Sequence, residues 1–178
     1  GGNWAGRWDI SVGSMTITPE RAEVLYFTPP YYYTPAAIAV HEDNTTINGV
    51  EDLDGKRIGV CGGCTYQSYL EGTLEIAQDP SGEAVAIESP IENPKIQTKE
   101  TDIVAIDDLA LGDGLRLDAV ISALPTLQEA IKSGKPIKIV GEPLYYEPLS
   151  VALDRNSQLD PTRLLERIPE IGRASCRE

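Results

Sequence analysis

Leu53-Asp54-Gly55-Lys56-Arg57-Ile58-Gly59-Val60-Cys61-Gly62-Gly63-Cys64-Thr65-Tyr66 is the stretch from which the fold is read. Arg57 to Cys61 is short and rich in apolar and β-branched residues, the pattern of a strand in a buried sheet. Gly62 and Gly63 turn the chain, and Thr65 to Ala77 continues at helical spacing. Strand, glycine turn and helix in that order are the unit of an α/β fold. With the glycines letting a ligand approach the backbone, the N–H groups of Cys64, Thr65 and Tyr66 can face an anion. The turn is not a P-loop, because no Lys-Ser or Lys-Thr follows the glycines. Cys61-x-x-Cys64 is open to three uses: a redox pair at a helix start, a structural disulfide, or two small buried thiols. Two cysteines without a nearby histidine are too few for a closed zinc site.

Outward from this stretch the alternation continues. Strands are predicted at Trp8 to Val12, Ala36 to Val40, Ala84 to Glu88, Leu117 to Ser122, Ile137 to Val140 and Leu149 to Leu153. Helices are predicted at Pro19 to Leu25, Val50 to Leu53, Ile103 to Leu111, Pro125 to Lys132 and Pro161 to Ile168. This implies a largely parallel sheet. Tyr31-Tyr32-Tyr33-Thr34-Pro35 and Leu144-Tyr145-Tyr146-Glu147-Pro148 are extended and end in proline, which disfavours helix before it. They read either as paired crossings between two lobes or as ordinary edge strands.

The chain of 178 residues is 41% hydrophobic and 24% charged, which is globular composition and excludes a disordered or low-complexity protein. No window approaches the roughly 20 consecutive apolar residues of a membrane-spanning helix. Fifteen Lys and Arg against 28 Asp and Glu give a net charge of −13, a surface that repels phosphate backbones and argues against nucleic-acid partners. His41 is the one histidine, so His-rich metal sites are excluded. The opening at Gly1 has no initiator Met, and more chain is expected upstream. Residues 171–178 read as the translation of a sequencing adapter and are set aside as an artefact. They carry two Arg and one Glu, so without them −13 becomes −14.

A second constellation is Asp9-Ile10-Ser11-Val12-Gly13-Ser14-Met15-Thr16-Ile17-Thr18-Pro19-Glu20-Arg21. Thr18 is placed to cap a helix that opens with Pro19. Arg21 in its first turn shares the positive end of the helix dipole, so an anion between them would explain the placement. An ion pair of Arg21 with Glu20 or Glu23 is the plainer alternative.

These blocks, with Phe27-Thr28-Pro29-Pro30-Tyr31-Tyr32 and Leu117-Asp118-Ala119-Val120-Ile121-Ser122, resemble the polar amino-acid family of bacterial solute-binding proteins that serve ABC importers, family 3. The resemblance spans Gly6 to about Pro169 and rests on the order and spacing of four blocks. It implies an α/β, periplasmic-binding-protein-like type II fold, with two lobes joined by two hinge strands and lobe one incomplete. Residues 1–34 and 147–170 would belong to lobe one, and residues 35–146 would form a complete lobe two. By the same resemblance Arg21 would clamp a ligand carboxylate, helped by the N–H groups of Thr16 and Thr65. Gly13 and Ser14 would face an ammonium, and Cys61, Cys64 and Tyr66 would line the lobe-two side. Where the family commonly has an acid for the ligand ammonium, this chain has Ala123. Either another carboxylate replaces it, or the ligand lacks an α-ammonium, because burying that charge unpaired is costly. A Cys61–Cys64 disulfide would suit an exported protein.

The function implied is a non-enzymatic extracytoplasmic binding component. It would use no cofactor, bind an amino acid or small carboxylate and hand it to an ABC permease. It would be periplasmic or extracellular, with or without a lipid anchor, and monomeric when complete. The same fold also serves receptor sensor domains and dehydratases. A Cys-x-x-Cys thiol-disulfide protein is the third class, and it requires a stabilised thiolate.

Overall fold

The structure, a computed structural model, describes residue 4, residues 7–157, residue 160 and residues 162–163. The chain divides into two compact units. Unit 1 holds Gly1–Tyr33, Glu75–Ala86 and Glu147–Glu178; unit 2 holds Thr34–Leu74 and Ile87–Tyr146. The grouping of Glu75–Ala86 with unit 1 is a difference from a lobe running unbroken over 35–146.

In unit 1, β1 (Ile10–Ser11), β2 (Leu25–Phe27) and β10 (Ala152–Asp154) form an antiparallel sheet in the order β1-β10-β2. Helix α1 (Pro19–Ala22) precedes β2, and β5 (Glu75–Ala77) pairs with β6 (Ala84–Ala86) as an antiparallel ribbon. Ile17, Leu25, Phe27, Ala77 and Ala152 pack as the core of this unit. The ribbon is docked there by the N–H of Ala77, which donates to the Ile17 carbonyl at 3.1 Å.

Unit 2 is built on five strands: β3 (Tyr32–His41), β4 (Arg57–Cys61), β7 (Lys95–Lys99), β8 (Ala119–Ala123) and β9 (Ile137–Leu149). Their order is β7-β4-β8-β3-β9. Strand β4 runs parallel to β7 and β8, whereas β3 runs antiparallel to β8. The sheet is therefore mixed rather than largely parallel, because β3 is not the product of a strand-helix-strand unit. Helices α2 (Thr65–Leu70), α3 (Asp102–Leu109) and α4 (Leu124–Lys132) follow β4, β7 and β8. Ala39, Ile106, Leu109, Val120, Leu127 and Ile137 anchor the core. Gly59 of β4 is required by packing: a Cβ there would lie 2.5 Å from Leu117 Cδ1.

Several elements differ from the spacing-based expectation. The helix from Thr65 ends at Leu70, not Ala77, because Gly72 adopts φ +70° and closes the end, with the Thr73 N–H donating to the Ser68 carbonyl. Strand β2 begins where the first helix was extended, and β7 was not foreseen. The expected helix over 161–168 lies almost wholly outside the described residues, as do residues 171–178.

Candidate functional site

In unit 1, β1 ends at Ser11 and the chain tightens through Gly13 and Ser14, where the Met15 N–H returns to the Gly13 carbonyl at 2.8 Å. The Tyr31 hydroxyl donates to the same carbonyl at 2.9 Å. Ser14 is exposed and Thr16 is buried. Thr18 caps α1 as expected from the sequence, its hydroxyl accepting the Arg21 N–H at 3.3 Å, with Pro19 at the first helical position. The Arg21 guanidinium donates from Nη1 to the Thr16 carbonyl at 3.0 Å. That bond holds a planar cation beside the Gly13-Ser14-Met15-Thr16 segment. A guanidinium is a planar donor group that can make two parallel hydrogen bonds to a carboxylate.

Thr16 has a second partner that sequence reasoning missed. Its hydroxyl donates to Glu147 Oε1 at 2.9 Å, and Glu147 is only 4% exposed. The signal was weak, since Leu144-Tyr145-Tyr146-Glu147-Pro148 reads as a crossing between lobes or an edge strand, and neither reading marks Glu147 for burial. The network places a cation, a hydroxyl and a buried carboxylate in series: Arg21, Thr16, Glu147.

In unit 2, the candidates gather at the carboxyl edge of the sheet. β4 ends at Cys61, the Gly62 N–H donates to the Lys99 carbonyl at 2.8 Å, and Gly63 takes φ +73°. The Gly63 N–H donates to Gln67 Oε1 at 2.9 Å. Cys64 is the extended residue that starts α2, and it is joined to Cys61 by a disulfide whose Cα atoms are 5.6 Å apart. Thr65 and Tyr66 are both 5% exposed. Ala123 closes β8 and precedes α4. Just before it, Ser122 is fully buried, and its hydroxyl has no hydrogen-bond partner among the described residues.

Asp102, also absent from the sequence-derived set, stands at the first position of α3, after the cap Thr101. Its carboxylate and the sulfurs of Cys61 and Cys64 offer ligand atoms within 4.8 Å of one another. The sequence hid it because β7 was not recognised, so nothing linked the start of α3 to the Cys-Gly-Gly-Cys turn. Once disulfide-bonded, the sulfurs cannot serve as thiolate ligands for a metal.

A groove in unit 2 of about 530 Å³, lined by Ile103, Ile106, Pro125, Glu129 and Lys135 among others, contains none of the candidate residues. Its cation, Lys135, is spent on Asp107 at 2.6 Å. Among the described residues no helix is long and apolar enough to cross a membrane.

Residues 3–162 match the bacterial extracellular solute-binding proteins, family 3. The probable amino-acid-binding protein YxeM of Bacillus subtilis is 31% identical over 159 residues, covering 89% of this chain and 53% of that protein. The L-arginine-binding protein of Pseudomonas aeruginosa is 37% identical over 114 residues, covering 62% of this chain and 42% of that protein. Among solved structures, an ancestral arginine-binding protein bound to arginine superposes with a TM-score of 0.73 at 27% identity, over 98% of this chain and 68% of that one. The fold is thus that of the type II periplasmic binding proteins. The chain spans about half the length of the curated relatives it matches. The match across nearly all of the described residues, together with the Arg21 segment and the glycine turn before α2, assigns this chain to family 3 of the bacterial extracellular solute-binding proteins.

Proposed function

We propose that this protein is the extracytoplasmic binding component of an ABC importer and takes an amino acid or a closely related small carboxylate. The observation that carries the reading is the Arg21 guanidinium set on the Thr16 carbonyl beside the Gly13-Ser14 turn. An anion-binding group of this geometry, in a family of solute-binding proteins, has a carboxylate as its natural counterpart. Arg21 clamps that carboxylate with the N–H of Thr16, and the N–H of Thr65 adds to it from unit 2. Gly13 and Ser14 face the ammonium, while Cys61, Cys64, Tyr66 and Ala123 shape the rest of the ligand's surroundings. The lobes on this reading are residues 1–34 with 147–170, and residues 35–146 apart from the β5–β6 ribbon, which groups with unit 1. A ligand that engages both lobes favours the closed form through its differential affinity.

The family's members are periplasmic or extracellular, and the same location is proposed here, with a permease as partner, a monomeric state and no catalytic step. The thiol-disulfide alternative is disfavoured by Asp102. A carboxylate near both sulfurs opposes the thiolate that exchange chemistry requires.

The test is a thermal-shift screen of the chain, alone and joined to the flanking segments of the Bacillus subtilis relative, against amino acids, their derivatives and dicarboxylates, with and without reductant. At a hundredfold excess over Kd a bound ligand stabilises by about 2.7 kcal/mol. The expected result is a shift with one ligand class that Arg21→Ala abolishes. No shift with any carboxylate, combined with reversible reduction of Cys61 and Cys64 at a mild potential, would move the assignment to redox chemistry.

A further inference from the structure

We infer that Tyr31 and Glu147 are positioning residues for the Gly13–Thr16 loop, so that the two segments on which the chain passes between its units also set where Arg21 stands; this rests on the reading of that loop and Arg21 as ligand-binding residues. The first stretch of unit 1 ends at Tyr33 and its last stretch begins at Glu147, so Tyr31 lies just before one passage and Glu147 closes the other. Each holds one end of the loop. The Tyr31 hydroxyl donates to the Gly13 carbonyl at 2.9 Å, and Glu147 Oε1 accepts from the Thr16 hydroxyl at 2.9 Å. The residues after Glu147 reinforce its end: Thr16 bridges to Leu149 in antiparallel fashion, and the Ser150 N–H donates to the Met15 carbonyl at 3.0 Å. Leu149 also ties the two passages together, its carbonyl accepting the Tyr31 N–H at 2.9 Å.

Packing does little to fix the front of the loop. Val12 is 75% exposed, Ser14 is exposed, and a Cβ on Gly13 would meet nothing within 4 Å. A segment with so few packing contacts opens locally at small cost unless polar bonds restrain it. The Tyr31 hydroxyl supplies such a bond at the Gly13 end. At the other end Thr16 is 0% and Glu147 4% exposed, so the bond between them joins a hydroxyl to a carboxylate out of contact with water, the stronger class of hydrogen bond. Thr16 works through two of its atoms: its hydroxyl is fixed by Glu147, and its carbonyl accepts from Arg21 Nη1 at 3.0 Å. A shift of Thr16 therefore moves the seat of the guanidinium, and the directional fit of a guanidinium to a carboxylate tolerates little displacement. Neither Tyr31 nor Glu147 is assigned a ligand contact; both act through the loop.

The experiment combines residue-resolved amide exchange with calorimetric titration of the 178-residue chain, using L-arginine and L-glutamine as probes. Three variants are compared: Tyr31→Phe, which removes one hydroxyl from an exposed ring; Glu147→Leu, which removes the acceptor; and Glu147→Gln, which keeps an acceptor oxygen in place. In Tyr31→Phe the Met15 amide should exchange about fivefold faster, and in Glu147→Leu the Ser150 amide about tenfold faster or more, the scales of a neutral and a charge-assisted hydrogen bond. The amides of the β2–β10 ladder should keep their wild-type rates; an equal acceleration there would mean general weakening of unit 1 and overturn the inference. Affinity for the probe that the wild type binds should fall by similar factors in Tyr31→Phe and Glu147→Leu and stay within about threefold of wild type in Glu147→Gln. Unchanged exchange and affinity in both Tyr31→Phe and Glu147→Leu, with Arg21→Ala still abolishing binding, overturns the inference and leaves the binding-protein reading intact. Equal losses in Glu147→Gln and Glu147→Leu overturn it as well, because a retained acceptor should rescue the loop. A wild-type chain that binds neither probe overturns the role of both residues in binding together with the reading beneath it, whatever the amides show.

Discussion

Arg57 and Asp118 tie the start of β4 to the start of β8. The guanidinium donates to Asp118 at 2.7 and 3.1 Å, and the Arg57 backbone N–H donates to the same carboxylate at 2.7 Å. These bonds, the side-chain ones first, hold the Asp118 carboxyl below its ordinary 3.8. Asp108 is lowered likewise, by Lys99 and then Arg116. A depressed carboxyl stabilises the fold above its ordinary value, and that contribution is lost as pH falls through the folded value. Urea titrations from about pH 6 to about pH 3 should show the midpoint falling, and Asp118→Asn should differ from the wild type at the upper end and converge with it at the lower. The cost at neutral pH should be about 1 kcal/mol, given partial screening; a pH-independent difference would show that the pair does not act through charge. At this scale the sequence was informative where the cause is local. Thr18, Pro19 and Arg21 lie within one turn, so cap and cation could be read together. Glu147 and Asp102 could not, because their roles depend on what they meet across the fold. Glu147 is 131 residues from Thr16.

The elements follow two kinds of physics, and the predictions divide accordingly. Strand β4 packs its Gly59 where a side chain would strike Leu117 and Val120, the latter at 3.2 Å. Gly59→Ala should therefore cost about 1–3 kcal/mol in denaturant unfolding, the usual penalty of overpacking. An unchanged midpoint would mean that Leu117 moves aside freely. Helix α3 is capped by Thr101, whose hydroxyl accepts the Val104 N–H at 3.3 Å. Thr101→Ala should lower stability by about 1 kcal/mol, and Thr101→Asp should largely preserve it. Equal losses in both variants would deny the cap a role. Strand β4 was legible because Arg57 to Cys61 is apolar and bounded by glycines at Gly55 and Gly62. The edge strand β7, Lys-Ile-Gln-Thr-Lys, was not, since one apolar residue among four polar ones carries no burial signal. Helix α2 was drawn too long because Leu74 and Ile76 kept the apolar spacing while Gly72 ended the helix beneath it.

For the whole molecule the dominant quantity is the net charge of −13. Self-repulsion of that size opposes compaction and is screened over about 8 Å at physiological ionic strength. The melting temperature should therefore rise between low and moderate salt. A fall would mean that the Arg57 and Asp108 ion pairs outweigh the repulsion. The division into units was only partly accessible to reading by eye. The Tyr-Pro segments lie at two of its boundaries, near Thr34 and Glu147, but the other two, at Leu74 and Ile87, carry no comparable mark. Those two boundaries have a practical side. The Ile87 N–H donates to the Leu74 carbonyl at 2.8 Å, so the chain leaves unit 2 for the β5–β6 ribbon and returns at the neighbouring position. The ribbon is thus a guest segment with its entry and exit stitched side by side. Excising residues 75–86 needs a bridge of only about two to four residues to make Thr34–Tyr146 one uninterrupted gene segment. Unit 2 can then be produced and titrated without the elements that carry Arg21.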